Sequence, residues 1–199
     1  MKFEKGYLYH IYNQGNNKQK IFFNKENYIF FLQKIKTFVL PYADILAWCL
    51  MPNHFHLMVL VNEIEFEDVK IGSATSSRAP NTNLNKSIGI LLASYTRAIN
   101  KEQNRSGSLF RDKTKAECIN CPDGITPSFI KKDNITLINI KYPEKQYPQI
   151  CFDYIHHNPV KASLVKKTVD WEFSSAIDYY GNRNGTMINK EVTKEYIEI

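Results

Sequence analysis

Two histidines one residue apart, His54 and His56, stand in the segment MPNHFHLMVLV. Successive side chains of a strand point to opposite faces, so on a strand both imidazoles project from one face while Phe55 and Leu57 turn into a core. Two neutral imidazoles on a rigid strand make a chelating pair suited to a borderline divalent cation, with the remaining positions open to oxygen ligands, water or phosphate. The same spacing serves two solvated or hydrogen-bonded histidines, and spacing alone does not choose between them. A second segment, CFDYIHHNP, offers a phenol and an amide. On a helix Tyr154 and Asn158 lie four apart on one face, so the two groups address one point in space. A phenol with its ordinary pKa of ~10 attacks only if a nearby cation favours the phenolate or the target is made more electrophilic. Taken alone, Tyr154 is one of 12 tyrosines and reads more simply as a packed aromatic, and Asn158 reads equally well as the cap of the following turn. His156 and His157 point elsewhere on the same helix.

The elements that must position these groups follow from periodicity. Residues 7–13, YLYHIYN, are rich in strand formers and end at the turn-like QGNN. Asn24 precedes KENYIFFLQKIKTFVL, whose apolar residues Tyr28, Phe31, Leu32, Ile35, Phe38 and Val39 recur at helical spacing, so a helix capped by Asn24 stops before Pro41. DILAWCLM and HFHLMVLV, separated only by Pro52 and Asn53, form a tight strand hairpin. LNKSIGILLASYTRAINKEQ places Ile88, Leu91, Leu92, Tyr95 and Ile99 on one helix face, and GSLFRDKTKAE returns to a strand. Residues 63–83 and 118–147 read as variable stretches, the second an insertion with one short strand, ITLINIKY. ICFDYIHHNPVKASLV is helical up to Asn158, where Pro159 predicts a break or kink. In the tail, Trp171 and Phe173 are placed to dock on the core, and 181–199 turns polar and is expected to fray. This order of strands and helices fits the split βαβ ferredoxin-like plan: α+β, an antiparallel sheet with helices packed on one face, in a single domain over 1–180.

Composition narrows the class. A chain of 199 residues, 43% of them hydrophobic, builds one core without disulfide staples. The excess of 26 Lys plus Arg over 20 Asp plus Glu gives +6, a sign that favours phosphate-bearing partners. No apolar run approaches the ~20 residues that span a bilayer, so neither a membrane location nor a membrane partner is expected, and the cytoplasm is. There four sparse cysteines stay reduced. Cys118 and Cys121, with Cys151 and a histidine, form a weak candidate zinc staple, and Cys49 reads as core on a central strand.

Together, MPNHFHLMVLV resembles the His-hydrophobic-His motif of the single-tyrosine HUH transposases, and CFDYIHHNPVKASLV resembles the tyrosine helix of their REP-associated branch. YHIYNQGNN, SYTRAIN, GSLFR and WEFSS extend the likeness over about residues 7–180 outside the two variable stretches. The 118–147 stretch is longer than the usual link. Family members differ in whether they act as homodimers.

The resemblance implies a ferredoxin-like HUH endonuclease fold, with Mg²⁺ or Mn²⁺ held by His54, His56 and Asn158 and with Tyr154 as nucleophile. It further implies cleavage and rejoining of single-stranded, hairpin-containing DNA through a 5′-phosphotyrosine, which is DNA transposition chemistry. His156, His157 and water are all candidates for the general base. Arg97, Lys101, Arg105, Arg111, Lys113 and Lys115 form a basic run that phosphate contacts could use, or an ordinary solvated face. The competing reading is a non-catalytic nucleic-acid-binding module on the same fold, with structural histidines.

Overall fold

The computed structural model describes residues 2–65, 83–121, 130–132, 135–137 and 143–199; for 130–132, 135–137 and 143–145 it describes the backbone only. Strand β1 (Leu8–Gln14) leads through a short 3-10 turn to helix α1 (Lys25–Phe38). The start of α1 is a reciprocal cap, in which Asn24 Oδ1 accepts from the Asn27 amide at 2.9 Å and Asn27 Oδ1 accepts from the Phe23 amide at 3.0 Å. Strands β2 (Ala43–Met51) and β3 (His54–Val61) follow as the expected tight hairpin, then α2 (Leu84–Glu102), capped by Asn83, and β4 (Lys115–Cys118). The four strands make one antiparallel sheet in the order β2-β3-β1-β4, the ferredoxin-like arrangement.

Strand alternation splits the core in two. Tyr9, Ile11, Phe55, Leu57 and Val59 face α1 and α2, where Phe31, Ile35, Leu91 and Tyr95 complete one cluster. Leu8, Leu46, Ala47, Cys49, Met51 and Met58 face the other way, onto Cys151, Phe152 and Ile155 of the long helix α3. Helices therefore cover both faces of the sheet, where the sequence pattern put them on one; the second cover comes from α3, whose apolar face has no other place to be buried. A register shift between Ile45 and Ala47 lets Leu46 and Ala47 both join the α3 side.

Three further expectations need correction. In the insertion, β5 (Ile130–Lys132) pairs with β6 (Ile135–Leu137), so there are two short strands; 138–142 of the expected ITLINIKY strand and 66–82 of the first variable stretch lie outside the described residues. Helix α3 (Pro143–Lys161) runs through both Pro148 and Pro159 without the break expected at Asn158. Pro159 removes the donor for the Ile155 carbonyl only in the final turn, where few hydrogen bonds remain to be lost. The tail is built, not frayed. Arg183 ties it down by donating from Nε and Nη2 to the two Asp178 oxygens, both at 2.7 Å, and to the Glu172 and Ser174 carbonyls. After α4 (Ala176–Tyr180), α5 (Lys190–Tyr196), capped by Asn189, leaves Met187, Thr193 and Ile197 buried.

That tail also answers an edge problem. β2 is an outer strand of the sheet, not a central one, yet its free edge is covered: the Leu50 amide donates to the Phe173 carbonyl, the Ser175 amide to the Trp48 carbonyl and the Asn189 amide to the Ile45 carbonyl, each at 2.9 Å. Trp171 and Phe173 dock as expected, Trp171 Nε1 donating to the Leu50 carbonyl at 3.0 Å and Phe173 stacking on Tyr28 at 3.9 Å.

Candidate active site

β3 presents His54 and His56 on the α3 side of the sheet, their rings 5.0 Å apart. Their neighbour on β1 in the ladder is Tyr12, opposite His56, with His10 one step diagonal. Each imidazole is held by its Nδ1. His54 Nδ1 donates to Asn53 Oδ1 at 2.6 Å, and His56 Nδ1 lies 2.8 Å from His10 Nε2. Asn53 is itself fixed, its carbonyl accepting from the Gly15 amide at 2.8 Å. Position 15 must be glycine for the tight turn that follows it, since a Cβ there would meet the Gln19 carbonyl oxygen at 2.1 Å.

α3 brings the second half. Phe152 and Ile155, both fully buried, seat the helix on the sheet, each contributing about 1.5–3 kcal/mol by burial. Tyr154, on the same turn, stays 40% exposed with its ring 5.5 Å from that of His56 and 6.1 Å from that of His10. One turn on, Asn158 is buried; its Nδ2 donates to the Tyr154 carbonyl at 2.9 Å, and its amide is within hydrogen-bonding reach of the His54 ring. The structure thus collects His54, His56, Tyr154 and Asn158 at one place, between β3 and α3.

Burial sets the electrostatics. The His10 pKa is pushed down to about 4, and burial, then the neighbouring His10 and His54, drive that of His56 well below the ordinary value. Burial also lowers that of His54, opposed by its contact with Asn158. All three rings are kept neutral, the form that ligates a cation. Among the described residues His56 Nε2 is buried and has no hydrogen-bond partner, as a ligand position awaiting a cation would be. The donor set, two imidazoles and an amide oxygen, therefore fits a divalent ion. No group of three or more His, Cys, Asp or Glu side chains suited to a metal occurs among the described residues, because the third donor here is an amide.

Four residues of this neighbourhood carried no assigned role in the sequence reading. His10 and Tyr12 alternate onto the site's face of β1, a signal present in YHIYN but legible only once β1 is known to pair with β3. Asn53 sits in the hairpin turn. Lys161, seven residues past Tyr154 on α3, places Nζ 5.0 Å from the centroid of the Tyr154 ring, a cation–π contact at the site's edge. Tyr12 donates to Glu117 Oε1 at 2.6 Å, and burial followed by that hydrogen bond raises its pKa.

Other expectations are redistributed. His156 is no base for Tyr154: it is 1% exposed, its Nε2 lies 2.7 Å from Ser175 Oγ, and it faces the tail segment on the far side of α3. His157 is exposed, with Nδ1 against the Asp153 carbonyl of its own helix at 2.8 Å. The basic run is not one surface. Arg97 and Lys101 belong to α2, across the sheet from the histidines, and Arg97 lies near Lys34 of α1. Arg105 folds back onto the Ser108 carbonyl, while Arg111 and Lys113 lead into β4. Lys115 alone pairs opposite Tyr12, on the site's face. Cys118 and Cys121 are bonded to one another, Cα atoms 5.8 Å apart, and not held reduced or in a zinc staple; Cys151 is a free, buried thiol of the α3 core.

No protein-family model and no curated protein sequence matches this chain. A solved structure does: a REP-associated tyrosine transposase bound to a REP hairpin, 19% identical, with a TM-score of 0.53, covering 88% of this chain and 79% of that one. The likeness is one of fold, an α+β antiparallel sheet with helices packed on it, and it extends over nearly the whole chain. No helix among the described residues is long and apolar enough to cross a membrane.

Proposed function

We propose that this chain is a metal-dependent tyrosine HUH transposase, cleaving and rejoining single-stranded DNA through a 5′-phosphotyrosine on Tyr154. The observation that carries the reading is the meeting of elements far apart in sequence: the Tyr154 ring stands 5.5 Å from His56, whose buried Nε2 has no partner among the described residues, with Asn158 in reach of His54. A merely packed tyrosine needs no such company, and 40% exposure leaves this phenol open to a strand of DNA. The fold neighbour is a transposase bound to a hairpin, so hairpin-containing DNA is the partner proposed here.

His54, His56 and Asn158 would hold Mg²⁺ or Mn²⁺, which supplies Lewis-acid stabilisation to charge developing on the scissile phosphate. The Tyr154 oxygen attacks phosphorus, forming the O–P bond as the bond to the 3′-oxygen breaks; that oxygen leaves as a 3′-hydroxyl after gaining a proton. Lys161, its Nζ 5.0 Å from the centroid of the Tyr154 ring, would help hold the phosphate next to the phenol. No hydrogen bond engages the Tyr154 hydroxyl among the described residues; with His156 sequestered and His157 held to the Asp153 carbonyl, the phenol proton would pass to solvent. Lys115, beside Tyr12, is the residue of the basic run placed to hold a phosphate. Rejoining is the reverse step, a 3′-hydroxyl displacing Tyr154 from phosphorus.

The test mixes the protein with pools of single-stranded hairpin DNA and Mn²⁺ and resolves the products on denaturing gels. An adduct that needs the metal and disappears in Tyr154→Phe supports the reading. Salt-sensitive binding of the same pools with no adduct would assign the chain to non-catalytic nucleic-acid binding instead.

A further inference from the structure

We infer that His10 is a positioning residue that fixes His56 in the tautomer carrying its proton on Nδ1, so that Nε2 turns a bare lone pair into the site. The inference rests on the metal-site reading above and adds a residue to which that reading gives no part. His10 Nε2 and His56 Nδ1 are 2.8 Å apart, with the rings stacked at 23° and the residues 6% and 5% exposed. One of the two nitrogens must donate and the other accept. If His10 donated, the proton of neutral His56 would sit on Nε2, giving a buried N–H that finds no acceptor among the described residues. If His10 accepts, Nε2 is left as a lone pair, which a cation completes and an N–H repels.

The other imidazole of the pair shows the same device with its direction settled. Asn53 Oδ1 can only accept, so in the neutral ring His54 Nδ1 carries the proton and His54 Nε2 is the nitrogen left to a cation or to the neighbouring Asn158 amide. Asn53 and His10 thus perform one task on two rings: each anchors Nδ1 and frees Nε2. The two supports come from different elements, the hairpin turn and the neighbouring strand β1, and both are locked by backbone pairing: Gly15 with Asn53, and the β1–β3 ladder around His10. Supports of this kind behind a ligating histidine raise metal affinity by fixing the ring and its tautomer.

The test reads ring-nitrogen tautomers directly, by two-bond ¹H–¹⁵N correlation on the metal-free full chain, and Mn²⁺ affinity by electron paramagnetic resonance. In the wild type, His56 should show a pyrrole-type Nδ1 and a pyridine-type Nε2. His10→Phe should weaken Mn²⁺ binding about 10–100-fold, and His10→Gln, whose side-chain oxygen can accept from Nδ1, should restore most of it. A proton on His56 Nε2 in the wild type, or a folded His10→Phe with wild-type Mn²⁺ affinity, overturns the inference. Wild-type protein that binds no Mn²⁺ would sink the metal-site reading instead, and the spectrum would still decide the part of His10. Should His10→Phe not fold, the wild-type spectrum alone decides.

Discussion

His156 offers a pH experiment whose size follows from its surroundings. Its ring is packed edge-on to Phe152 at 4.4 Å and lies 5.8 Å from that of Tyr179, with Nε2 against Ser175 Oγ and Nδ1 buried without a partner among the described residues. Burial first, then His157, pushes its pKa down from 6.5 to about 3, while Asp178 opposes the shift. Folding thus depresses the pKa. The stabilisation is complete above the unfolded value of 6.5 and is lost as pH falls towards the folded value of about 3. From pH 7 to pH 5 the unfolded ring takes up about three-quarters of a proton and the native ring almost none, a loss of roughly 2 kcal/mol. His10, with its pKa near 4, should add a second loss of about the same size, so the two together remove roughly 4 kcal/mol over this window. Replacing His156 by Gln, neutral at every pH, should remove its own share, roughly 2 kcal/mol, from a wild-type loss to which the buried His10 and His56 also contribute, whatever it does to stability at pH 7. Guanidinium unfolding of metal-free protein at pH 7 and pH 5 measures both quantities. A His156→Gln variant losing as much stability between those pH values as the wild type would refute the burial argument. The same variant should still form the Tyr154 adduct, since His156 turns away from the phenol.

Three other outcomes follow from the packing. Arg183→Leu leaves the Asp178 carboxylate, 3% exposed, without its ion-pair partner, and should cost roughly 3–5 kcal/mol in chemical unfolding. Lys115→Ala should weaken binding of single-stranded DNA and lower the slope of log K against log salt by about 0.7, while Arg97→Ala, across the sheet, should leave that slope unchanged in fluorescence anisotropy titrations. Reducing the Cys118–Cys121 bond closes no long loop and should lower stability by less than about 2 kcal/mol, with Mn²⁺ affinity unaltered.

The sheet was legible because its signals are local. Period-two alternation in HFHLMVLV put both histidines on one face, and Pro52 with Asn53 marked the hairpin that joins β2 to β3. Asn24 likewise announced the start of α1. The errors arose where a distant partner decides. Pro159 predicts a break by local sterics, yet one lost hydrogen bond near the end of α3 is outweighed by the packing of Phe152 and Ile155 on the sheet. A polar tail looks frayed until Arg183 finds the buried Asp178 and the edge of β2 finds its cover. The basic residues of 97–115 are continuous in sequence but divided by the sheet: α2 packs on one face, while Lys115 of β4 projects with Tyr12 from the other. His10 carried no signal of its own. Its part became visible only through a register that pairs β1 with β3.

The central claim is that Tyr154 and the two histidines of β3 serve one reaction. Peptide mapping by mass spectrometry of a Mn²⁺-dependent DNA adduct, trapped on hairpin-bearing single strands and trimmed with nuclease, tests it most directly. The account predicts a residual 5′-nucleotide on the peptide that contains Tyr154, and its loss in His56→Ala. A nucleotide on another tyrosine, such as Tyr12 or Tyr147, or an adduct that persists undiminished in His56→Ala, would contradict it.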